Sequence, residues 1–168
     1  MSSFDELQRL REGALPDERS STGLSEITIE TSGSSLDCLS RCREVLIAID
    51  TVSATFWPSL QEWRSVLPQW LVQKFKPEPT AQEQRQSEAR WKGMPQNERA
   101  IEASNAQWSL ANWIAWFVPD EREWFWWDAV AKGIDAATIR VETIGYPAPL
   151  GSLDWLLRSA GATHVELP

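Results

Sequence analysis

Four carboxylates, Asp120, Glu121, Glu123 and Asp128, crowd the aromatic run Trp124-Phe125-Trp126-Trp127. Paired acids beside aromatic faces are what glycoside hydrolysis uses, because one acid must stay protonated for the leaving group while rings stack on the sugar. A plainer arrangement fits the same residues. Asp120 and Glu121 follow Pro119 in a turn, where charge is simply solvated. A third use is electrostatic: carboxylates flanked by tryptophan anchors suit a cationic protein surface.

Other chemistry-bearing residues are sparse. His164 is the single histidine and has no second histidine to share a metal or a catalytic triad with. Cys38 and Cys42 are four residues apart on an expected helix, a spacing that suits neither a disulfide nor a zinc site, so they read as reduced, buried, small apolar residues. The glycine-rich phosphate loops, HExxH and GxSxG do not occur, and no cofactor or metal is expected. Tyr146-Pro147-Ala148-Pro149 places an aromatic residue in a proline-stiffened loop, which suits recognition and ordinary chain reversal equally.

Eleven tryptophans against one tyrosine dominate the composition. Each can bury roughly 150–250 Å², so most are expected in the core, each contributing up to several kcal/mol at about 25 cal/mol per Å². Two places break that expectation. Pleating would put Trp124 and Trp126 on one face of a strand and Phe125 and Trp127 on the other, so a second aromatic face needs a cover, which the central helices are expected to supply. Trp155 falls off the apolar stripe of its helix and would either contact those helices or stand as an exposed anchor.

The formal charge of −8 disfavours nucleic acid and anionic membrane, both of which need a cationic footprint, and favours a basic protein partner. The segment from Arg85 to Arg99 mixes both signs and reads as a solvated face. The opening Met1-Ser2-Ser3-Phe4-Asp5-Glu6 lacks a cationic region followed by an apolar one, and apolar runs are far shorter than a membrane span, so a cytoplasmic location is expected.

These residues need elements to position them. Phe4, Leu7 and Leu10 mark a weakly amphipathic stretch in an N-terminal arm, 1–23, expected to be partly flexible. Leu24–Glu30 alternates as a strand. Ser34 caps a helix whose stripe is Cys38, Leu39, Cys42, Val45, Leu46 and Ile49. A helical insertion at about 51–118 follows, with short helices meeting at Pro68, a capping box at Thr80 and Glu83, and an apolar helix capped by Ser109. The run 123–131 reads as a strand, with helix as the competing assignment, and 137–144 reads as a strand. A helix stopping at Gly161 and a short strand close the chain.

The order βα-[helical insertion]-ββαβ predicts an α+β fold of the ferredoxin-like, split βαβ kind: an antiparallel sheet with a tryptophan-rich helical layer, in one domain spanning 24–168. The function expected from these features is stoichiometric binding of a basic protein, of the immunity or inhibitor type, through Trp124, Trp126, Trp155, Asp120, Glu121, Glu123, Asp128 and Tyr146. The alternatives are a homo-oligomeric or structural subunit that buries its surplus aromatics between copies, and a sugar-binding or glycan-acting protein.

Overall fold

The computed structural model describes residues 3–99 and 107–168. Parts of the N-terminal arm and of the polar stretch between Lys76 and Gln107 therefore lie outside the described residues. Four strands, β1 (Leu24–Thr31), β2 (Trp124–Ala131), β3 (Ala136–Thr143) and β4 (Ala162–Glu166), form one antiparallel sheet in the order β2-β3-β1-β4. The stretch 123–131, which could have been helix, is strand.

The apolar alternation of β1 puts Ile27 and Ile29 on the buried side, with Ile139 and Val141 of β3 beside them. Against that side lie α2 (Ser35–Ser53) and α7 (Gly151–Ala160), with the expected stripe from Cys38 to Ile49 facing inward. Ser34 accepts the Asp37 amide as an N-cap, and Gly161, at φ +126°, takes the left-handed turn that ends α7.

The insertion forms α3 (Leu60–Val66), α4 (Gln69–Val72), α5 (Ala81–Gly93) and α6 (Leu110–Ile114), which runs into the 3₁₀ turn Ala115–Phe117. Pro68 separates α3 from α4, and Thr80 and Glu83 make a reciprocal capping box on α5, which is solvent-exposed along its whole length. The remaining insertion helices pack onto the α2 and α7 layer through aromatic rings. Trp113 meets Phe117 at 4.6 Å, Phe75 at 5.5 Å and Trp155 at 5.6 Å, while Phe117 meets Trp124 edge-on at 5.5 Å.

Ser152 ties this aromatic layer together. Its carbonyl accepts Trp113 Nε1–H at 2.9 Å and its hydroxyl accepts Trp124 Nε1–H at 3.1 Å, both in the interior. Ser152→Ala leaves the second indole N–H buried without an acceptor and is expected to cost about 1–3 kcal/mol, read as a lower urea midpoint with an unchanged slope.

The N-terminal segment has a specific seat. Helix α1 (Ser3–Glu12) lies along the outer edge of β2, and its Glu6 and Arg9 reach the main chain there. Glu6 Oε1 accepts the Trp126 amide, and Arg9 Nε donates to the Trp126 carbonyl at 3.2 Å. An edge strand presents unpaired polar groups, and two charged side chains take up a pair of them here. A register shift between Trp126 and Asp128 leaves Trp127 as the extra residue of a bulge, with the Arg9 guanidinium 4.6 Å from its ring. The cover of the second aromatic face therefore comes from the N-terminus: Arg9 lies over Trp127, whereas the insertion helices had been expected to do this. Those helices are occupied on the opposite, helical side of the sheet.

Candidate functional site

Among the described residues no helix packs on the other side of β1. Glu26, Thr28 and Glu30 point outward and are exposed. Cross-strand pairing extends this face in both directions: Glu26 is opposite Arg140, Thr28 lies between Thr138 and Glu166, and Glu30 lies between Ala136 and His164. Beyond β3, Asp128 is opposite Arg140 and Val130 opposite Thr138. Among the described residues this face thus carries the carboxylates Glu26, Glu30, Asp128 and Glu166, with the Arg140 guanidinium among them.

That guanidinium is already engaged. Arg140 donates to both Asp128 oxygens, through Nε to Oδ1 at 2.7 Å and through a second, shorter contact to Oδ2. The Asp128 hydrogen bonds, helped by the charges of Asp128 and Glu26, push the Arg140 pKa above its ordinary value, so it remains a cation. Glu26, Glu30 and Glu166 are left facing solvent on a rigid strand scaffold. Such an array attracts cations and disfavours anions.

The residues singled out from the sequence do not converge on this face. Asp128 lies on it, paired with Arg140. Asp120 and Glu121 are exposed in the turn ahead of β2, where the Glu121 amide donates to the Val118 carbonyl, and Glu123 is exposed just before the strand. Trp124 and Trp126 are 1% and 0% exposed, so neither can touch a partner in this fold. Their side of β2 faces the helical layer, and burial there overrides any anchoring role. Trp155 is half-buried and stacks on Phe75 at 4.7 Å, which resolves its two readings in favour of contact with the insertion. Tyr146 is 85% exposed beside the Leu24 end of β1, and the peptide joining it to Pro147 is cis.

Sequence reasoning missed Glu26, Glu30, Arg140 and Glu166 as site residues. Their signal is the polar phase of the alternating strands, whose apolar phase marks the core.

A second constellation is buried. Arg122 points inward from the segment leading into β2, with its guanidinium 4.9–5.1 Å from the rings of Phe117, Trp124 and Phe125. It donates to Glu6 Oε1 at 2.8 Å, pairs with Glu6 Oε2 at 2.7 Å and donates to Asp50 Oδ1 at 3.0 Å. All three residues are at most 4% exposed. Burial pushes the Glu6 carboxyl up to about 8; Arg122 opposes this and the neighbouring Asp50 adds to it. Asp50 is raised as well, chiefly by desolvation, against the pull of Arg122. One cation serves two acids, so the pair holds a proton at neutral pH.

Among the described residues no group of three or more His, Cys, Asp or Glu is placed to hold a metal ion, and no helix is long and apolar enough to cross a membrane. No model of a known family matches the chain, and neither the curated proteins nor the solved structures offer a match.

Proposed function

We propose that the protein is a stoichiometric binder of a basic protein, of the immunity or inhibitor type, and that the open sheet face is its contact surface. The strand order, read from the other side as β4-β1-β3-β2 with two helices on one face, supports classing the scaffold as ferredoxin-like with a helical insertion between α2 and β2. Such a scaffold leaves one sheet face free.

The observation that carries the reading is the charge on that face. Among the described residues Glu26, Glu30 and Glu166 make no salt bridge, and the net charge of −8 reinforces their field. A partner presenting Lys or Arg at matching spacing would be steered in quickly and held by charge-assisted hydrogen bonds.

Affinity capture from the native host across a salt series tests this. Wild type is expected to retain a basic protein that elutes as salt rises. The double variant Glu26→Lys/Glu30→Lys is expected to bind at least about 100-fold more weakly, since close charge pairs in interfaces couple by roughly 1.5–7 kcal/mol. Recovery of no basic protein at any salt, or equal capture by the variant, would refute the assignment.

A further inference from the structure

We propose that α1 is a proton-dependent latch: one proton shared between Glu6 and Asp50 keeps the helix seated on α2 and on the β2 edge, and its loss lets the helix leave. This is independent of partner binding.

The seat makes the helix separable. At ten residues α1 is too short to persist as a helix alone, so its order derives from docking. Among its described side chains Glu6, Arg9 and Leu10 are buried, and two of these are charged side chains engaging the main chain of Trp126. Polar groups at this depth count fully only while their charges balance.

The charges around Glu6 come from three directions. Asp50 faces it from α2, and Arg122 faces it from the segment ahead of β2. On α1 itself, Arg9 lies one turn further along and is paired with Glu18 at 2.7 Å, its guanidinium over Trp127. Arg43 of α2 reaches over the Trp126 ring at 5.9 Å. From β2 the Trp126 amide is the donor that meets Glu6. Arg122 touches both acids, and Asp50 Oδ2 has no hydrogen-bond donor among the described residues. A shared proton supplies the missing hydrogen bond and removes the surplus negative charge.

The direction of the pH effect follows from which state holds the proton. A free carboxylate releases it near 4.5, while docked Glu6 keeps it until about 8. Docked α1 thus binds more protons than released α1 in between, so docking is strongest at acid pH and weakens as pH rises from about 4.5 to about 8. Past the upper limit the contribution is gone.

Hydrogen exchange reads this directly, with rates normalised to unstructured peptide at each pH. The Trp126 amide reports the Glu6 contact, and the Ile27 amide, in a strand flanked on both sides, reports the global fold. In wild type, Trp126 and α1 are expected to exchange faster than Ile27, through release of the helix alone, and their protection is expected to fall by up to about tenfold per pH unit between pH 6 and 8. Asp50→Asn keeps the shape and hydrogen bonds without the second charge, and should hold α1 in place at pH 9. If that variant does not fold, Glu6→Gln makes the same comparison. Wild-type protection that does not change with pH, Trp126 and α1 protection equal to that of Ile27, or a variant that tracks wild type would each overturn the latch.

Discussion

Arg122→Met is expected to lower stability by about 3–5 kcal/mol, a large share of what holds a domain of this size together. The substitution fills most of the same volume between Phe117, Trp124 and Phe125, so packing is largely conserved. What disappears is the cation that both Glu6 and Asp50 depend on. Two carboxylates at 0% and 1% exposure then have to be protonated or dragged into water. Their folded-state pKa values, already raised, would rise further, so the deficit should be smallest in acid and grow toward neutral and alkaline pH. Urea unfolding followed by tryptophan fluorescence at pH 5 and pH 8 measures both the loss and its pH dependence. The triple variant Glu6→Gln/Asp50→Asn/Arg122→Met, which removes every charge together, should recover much of it. A loss below about 1 kcal/mol at pH 8 would mean the triad is better hydrated than its burial implies.

Trp113→Ala is the second large effect, at about 3–5 kcal/mol. The ring is fully buried and touches Phe75, Phe117 and Trp155, each of which joins a different part of the structure to it. Removing it opens a cavity where the insertion meets α7 and leaves the Ser152 carbonyl without its indole donor. Trp155→Ala should cost clearly less, because that ring is half-buried and keeps one side in solvent. Thermal and urea unfolding of the two variants side by side would test the ordering. Equal losses would indicate that the insertion contributes little to the cooperative unit.

The elements were legible in the sequence because each signal was local. Alternation in 24–30 and 137–144, the serine and threonine caps at 34, 80 and 109, and Gly161 all act over a few residues, and each appears in the structure where its pattern pointed. The tryptophans were harder. A β-strand of four aromatics has no polar phase, so periodicity could not say which ring faces the helices and which needs another cover. The bulge at Trp127 adds a shift that composition does not encode.

The buried triad was illegible for a different reason. Glu6, Asp50 and Arg122 are far apart in the chain, and each resembles an ordinary surface charge in its own neighbourhood. Only tertiary packing brings them into contact. The open sheet face lay between these extremes: its glutamates were visible in β1, but assigning them a shared surface required the register with β3 and β4.

Seating Glu6 and Arg9 on Trp126 also gives the sheet a stoppered flank and an unstoppered one. Any growth by main-chain pairing, into a dimer or into misassembly, is steered to the β4 side, where a five-residue strand offers a brief and charged template. Recruitment on the β2 side would first require the N-terminal helix to vacate it, so the same few side chains that close this edge also limit how the chain can polymerise.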